Sequence, residues 1–152
     1  MYYPVEVAGA MFSAGDAHAA QGDSELDGTG IETSITGNFK FTVIKAADFT
    51  AAQKTLDFPL GETATEWIIH GFTEKDYLDT YFENPGEIYD NSDINKAMMN
   101  AFAQTRTFLM AEYELTEAEA WTIITQGVVF GMTQLVDGNW ARLLQSCSTF
   151  VT

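Results

Sequence analysis

The stretch SDINKAMMNAFAQTRTFLMAEYELTEAEAWTIITQ, residues 92–126, decides the fold class. Ile94, Ala97, Met98, Ala101, Phe102, Thr105, Phe108 and Leu109 recur at three- and four-residue steps over about five turns, the spacing of one face of an α-helix. Ser92 or Asp93 is a natural N-cap, and Asn95, Lys96, Asn100, Gln104 and Arg106 form the polar side. Met98, Met99, Phe102, Phe108 and Met110 fall at helical spacing and read as core. A second start signal follows at once. Thr116 and Glu119 have the spacing of a capping box, in which hydroxyl and carboxylate each bond the other's backbone N–H. The pattern predicts two consecutive helices over about 92–113 and 116–126, the second stopping near Gly127.

On both sides of this stretch the period changes. Residues 2–14 are rich in Tyr, Val, Met and Phe, and Phe39, Phe41 and Val43 alternate within 37–47, so both segments read as strands. The Thr-rich GTGIETSIT at 28–36 and TEWIIHGF at 65–72 read as two more. Downstream, residues 128–136 and NWARLLQSCSTFV at 139–151 read as strands joined by the turn VDGN. The acidic, aromatic segment 73–91 is broken by Pro85-Gly86, which predicts a short helical turn at 74–82 followed by a loop. Strands, then two helices, then strands imply one α+β domain over 1–152: a mainly antiparallel or mixed β-sheet with the two helices packed on one side.

Composition narrows the function classes. A hydrophobic content of 46% suffices for a core, and 22 acidic against 7 basic residues give a net charge of −15. Such a surface repels phosphate, so nucleic acid and anionic membrane are not the expected partners. No apolar run reaches the length of a membrane span and the first residues lack the basic start of a signal peptide, so the expected location is the cytoplasm. Cys147 is the single cysteine, and no Cys/His spacing resembles a zinc finger. His70, between apolar neighbours, reads as a strand residue, and Trp67, Trp121 and Trp140 as packing.

The chemistry concentrates in GDAHAAQGDSELDGTGIE, residues 15–32. Asp16 and His18 lie two apart, as do Asp23, Glu25 and Asp27, so each set would share one side of an extended segment. A carboxylate beside an imidazole suits several hard or borderline cations, while Asp and Gly also cluster in ordinary turns. The residues alone leave a catalytic loop, a metal loop and a polar turn open.

The longer run YYPVEVAGAMFSAGDAHAAQGDSELDGTGIE, residues 2–32, resembles the signature of the acetamidase/formamidase family. The likeness is carried by Gly15, Asp16, His18, Ala19, Ala20, Gly22, Asp23, Glu25, Gly28, Thr29, Ile31 and Glu32. AEYELTEAEAWTIIT at 111–125 and TQLVDGNWARLLQS at 133–146 resemble later segments of the family. The resemblance is to the C-terminal half of the family's chains, with 73–91 standing apart as an insertion or divergent loop.

The resemblance implies hydrolysis of short linear amides, of the formamide or acetamide type, at a carbon–nitrogen bond other than a peptide bond. It also implies a divalent metal, zinc in several members, and oligomeric assembly, homomeric or with a chain supplying the other half. Carried onto this sequence, it makes Asp16 and His18 the metal ligands, Glu25 the general base and Asp23 an orienting group, with Gln21 donating to the amide carbonyl oxygen. Val129 and Gly131 stand where the family commonly has an Asp and an Arg, a departure that relaxes the constraint on the site, while the likeness to one half of the family's chain and the acidic-aromatic stretch 73–91 suit a second expectation, an inactive scaffold or assembly subunit. A small-ligand or metal-binding module is the third expectation.

Overall fold

In the computed structural model, residues 1–55, 57–74, 83 and 92–138 are described, together with the backbone of 141–147. In chain order the strands are β1 (His18–Ala20), β2 (Ile31–Glu32), β3 (Leu60–Glu62), β4 (Glu66–Phe72), β5 (Val128–Gln134) and β6 (Ala141–Cys147). Helix α1 spans Ile94–Glu112 and α2 spans Glu117–Gly127, within two residues of the predicted limits. The caps explain the starts. Asp93 accepts from the Asn95 N–H at 2.7 Å, and Thr116 and Glu119 form the reciprocal capping box. Ser92 donates to the Gly138 carbonyl at 2.7 Å, which ties the start of α1 to the turn between β5 and β6.

β3, β4, β6 and β5 form, in that order, a four-stranded sheet in which every pairing is antiparallel. β6 sits inside it, with Leu144 facing Ile69 of β4 on one edge and Phe130 of β5 on the other. Helix α1 lies across β4 and β6, and α2 packs beside α1. The α+β architecture with helices on the sheet is therefore as the periodicity predicts.

The helix approaches the sheet closely because the contact is built from small residues. A Cβ at Gly71 would stand 2.3 Å from the Ala101 nitrogen and 2.5 Å from its Cα, so only glycine fits at this crossing. On α1 the opposing positions Ala97, Ala101 and Thr105 lie one turn apart and are wholly buried. Thr105 returns its hydroxyl to the Ala101 carbonyl at 2.7 Å, so that buried hydroxyl is satisfied within the helix. Further along, Phe108 and Leu109 join Leu60, Ile69, Ala120, Ile124 and Ala52 in the core. The Trp67 ring stands 5.1 Å from Phe108, and its Nε1 donates to the Tyr113 hydroxyl at 3.0 Å. Each large side chain buried in this way contributes roughly 1.5–3 kcal/mol.

Several expectations are corrected. Of the strand expected at 2–14, only Tyr2 pairs, as a single bridge to Leu60. Residues 37–45 form no strand and Ala46–Asp48 is a 3-10 turn, while in 28–36 the strand is confined to Ile31–Glu32. Alternation yields a strand only when a neighbour takes up the backbone groups and one face is buried. Phe39, Phe41 and Val43 have no such neighbour among the described residues and stay exposed. β3 is a strand the sequence reading misses, because Leu-Gly-Glu carries no alternation. Met99 and Met110 lie on the solvent side of α1, 67% and 36% exposed, so the buried stripe is narrower than the apolar one. Trp121 is half-exposed and meets Phe102 edge-on at 5.7 Å. Trp140 and the turn and loop expected at 74–91 lie outside the described residues, Glu74 and Glu83 apart. No helix among the described residues is long and apolar enough to cross a membrane.

Two predictions follow from this packing. Gly71→Ala forces a methyl group into the Ala101 backbone and costs about 1–3 kcal/mol, seen as a fall of roughly 3–10 °C in the thermal midpoint. An unchanged midpoint refutes the close crossing.

The second concerns His70, whose Nε2 is buried without a hydrogen-bond partner among the described residues and whose pKa is lowered by that burial from the ordinary 6.5. The folded state refuses a proton that the unfolded chain accepts, so stability falls as pH drops below about 6.5. Glu112, raised by burial and by Glu62, works in the opposite direction and is common to both proteins compared. Urea unfolding at mildly acid and at neutral pH should therefore show a larger acid loss in wild type than in His70→Gln. Equal losses would remove His70 as the cause.

Candidate metal centre

β1 and β2 form a separate two-stranded antiparallel ribbon in which His18 stands opposite Glu32 and Ala20 opposite Ile31. The register shifts by one residue at Ala19, a bulge of the kind that re-aims side chains. Thr33 N–H extends the ribbon by donating to the Ala17 carbonyl at 3.0 Å. The turn between the strands uses positive φ at Ser24, Glu25 and Gly28, closed by the Glu25 N–H on the Gly22 carbonyl and the Gly28 N–H on the Glu25 carbonyl. Leu135 N–H donates to the Ser24 carbonyl at 3.0 Å, which anchors the turn beyond the end of β5.

This fold of the loop gathers three ligand-type side chains. The Nε2 of His18 lies 2.9 Å from Glu32 Oε1 and 3.3 Å from Asp16 Oδ1, and the three ligand atoms all fall within 4.8 Å of one another. Asp16 reaches inward from a left-handed backbone, φ 55, and not from the extended segment that its spacing to His18 suggests. Thr29 steers the third member by donating its hydroxyl to Glu32 Oε1 at 2.9 Å.

Burial differs sharply within the group. The imidazole is only 10% exposed, whereas the Asp16 and Glu32 side chains are 82% and 62% exposed. The other edge of the ring is enclosed. Gln21 Oε1 contacts Nδ1, and a Cβ on Gly30 would come within 2.8 Å of that same nitrogen. The contact with Gln21 holds the His18 pKa above its ordinary value, with Glu32 and Asp16 adding to the rise and desolvation opposing it.

The donor set fits a divalent cation. Ligand atoms about 2.0–2.2 Å from one ion stand roughly 3–3.5 Å apart, which the two separations at Nε2 match within a few tenths of an ångström. Two carboxylates and an imidazole supply charge without saturating the ion, and the exposed carboxylates leave one side open to water or substrate.

Among the residues expected from the sequence, Asp16 and His18 are brought together. Glu32 joins them without having been assigned a ligand role, because its place opposite His18 depends on the ribbon's register and its bulge. Gln21 stands at His18 Nδ1. Asp23 and Glu25 lie in the turn and are not members of the three-residue group, and Glu25 is half-buried there.

Comparison with known proteins agrees with the loop motif. Residues 1–138 match the sequence model described as the Acetamidase/Formamidase family, a span that holds the ribbon, the two helices and all of β5. No curated protein matches the chain. A match over that length establishes descent: the chain belongs to the acetamidase/formamidase family.

Proposed function

We propose that this chain hydrolyses short linear amides to a carboxylate and ammonia at a divalent metal site formed by Asp16, His18 and Glu32. The observation that carries the proposal is the position of His18 Nε2 between two carboxylate oxygens, within the segment matched to the amidase family. A cation at this place supplies Lewis acidity toward an amide carbonyl and toward a water. Asp16 and Glu32 would balance the charge of that cation, and their exposure would leave the site open to a small substrate. Glu25 serves as the general base that takes a proton from the attacking water and returns it to the departing nitrogen, and Asp23 orients it. Support for Glu25 comes from its half-buried place and its φ of 49, a backbone state that costs energy and concentrates at functional sites.

The test is ammonia release from formamide and acetamide by zinc-loaded protein, with bound zinc measured in parallel. Wild type should turn over and hold zinc. Glu25→Gln should lower the rate by about 10²-fold or more with zinc retained, and His18→Ala should lose both zinc and activity. Equal zinc in wild type and His18→Ala would overturn the site, and zinc binding without ammonia release would overturn the reaction.

A second reading, an assembly component of an amidase, is favoured by a different observation. Tyr3, Phe12, Phe39 and Phe41 cluster ring against ring with centroids 4.9–6.4 Å apart, yet each stays about half or more exposed. Exposed aromatic groups of this kind mark contact surfaces. Light scattering should give an oligomer for wild type and a smaller species for the double variant Phe39→Ser, Phe41→Ser. A monomer in both cases removes this reading.

A further inference from the structure

We propose that Gln21 is a positioning residue for the metal centre: its side-chain oxygen holds His18 in the Nδ1–H tautomer, leaving the Nε2 lone pair for a cation shared with Asp16 and Glu32. This rests on the metal reading above, but its first observable does not need the metal.

The argument starts from what each atom can do. An amide oxygen only accepts, so its contact with Nδ1 requires that nitrogen to donate. In the neutral ring the other nitrogen is then a bare acceptor. That acceptor faces two carboxylate oxygens, 2.9 and 3.3 Å away, neither of which can donate to it when ionised. Three lone pairs therefore converge on one point, an arrangement that a proton relieves below the ring's pKa and a metal cation relieves above it.

The alternative tautomer would place a proton on Nε2 in a hydrogen bond to Glu32 and require Gln21 to turn its amide nitrogen to Nδ1. Such a ring would be a structural link between β1 and β2 and a poor ligand. The orientation of Gln21 thus decides between a ligand and a strut. Gly30 sets the ring's place independently: with a Cβ clash at 2.8 Å from Nδ1 and 2.9 Å from Cγ, any other residue there would push the imidazole out of the ribbon. Gly30 makes room, and Gln21 selects the nitrogen. An outer partner that fixes the tautomer of a ligating histidine is worth about 10–100-fold in metal affinity.

The experiment uses the full chain, labelled with nitrogen-15, at a pH well above the ring's own pKa and without metal. Long-range proton–nitrogen NMR correlations of His18 should show Nδ1 protonated in wild type and in Gln21→Glu, and a tautomer mixture or Nε2–H in Gln21→Leu. Zinc titration of the same proteins should then give an affinity about 10–100-fold weaker for Gln21→Leu, with Gln21→Glu, which keeps the acceptor, at least as tight as wild type. Nε2–H in metal-free wild type overturns the proposal. So does a Gln21→Leu protein that keeps the wild-type tautomer or affinity while its backbone spectrum shows it folded. If wild type shows the Nδ1–H tautomer but takes up no zinc, the metal reading fails while the tautomer assignment to Gln21 stands on the NMR comparison alone.

Discussion

The close crossing of α1 over β4 at Gly71 and Ala101 is the constraint on which the sheet-and-helix body depends. Small residues at 97, 101 and 105 bring the helix backbone down to the sheet at one end. Phe108 and Leu109 fill the space at the other against Leu60, Ile69 and Trp67, while Ala120 and Ile124 bring α2 into the same core. The arrangement has a cost. His70 Nε2 and Asn100 Oδ1 are buried without partners among the described residues, and each such atom forfeits its hydration.

The candidate metal centre rests on different physics. β1 and β2 pair over only a few residues, and a two-stranded ribbon of that size is marginal by itself. What shapes it is local: a bulge at Ala19, left-handed residues at Asp16, Ser24, Glu25 and Gly28, and one bond from Leu135 that moors the turn to the larger sheet. Under the proposed function, a cation held by Asp16, His18 and Glu32 draws ligands from both strands, so binding energy and ribbon stability become one quantity. A site made this way suits a loop that must order its own ligands without help from a core.

The helices were legible because their signals are local. Asp93, Thr116 and Glu119 act within one turn, and the small and apolar stripe of α1 repeats every turn, so periodicity and caps agree to within two residues. The first 50 residues misled for the same reason that makes strands hard to read alone. Phe39, Phe41 and Val43 alternate as a strand would, but a strand exists only through its neighbour. Conversely Leu60–Glu62 shows no pattern and pairs because β4 lies beside it. At the site, Asp16 and His18 could be paired by their spacing, although the left-handed Asp16 shows that the spacing was right for the wrong backbone. Glu32 and the contact of Gln21 with Nδ1 required the register.

By itself, then, the sequence determined the family, through a loop motif within residues 2–32 and a family match over 1–138, and the fold class, through helix periods and caps that need no distant partner. Only the tertiary structure decided which alternating segments became strands, that Gly71 admits the helix, and that residue 32 returns to face residue 18. These outcomes depend on hydrogen bonds and contacts between residues far apart in the chain. Local spacing carries no record of where a strand's partner lies.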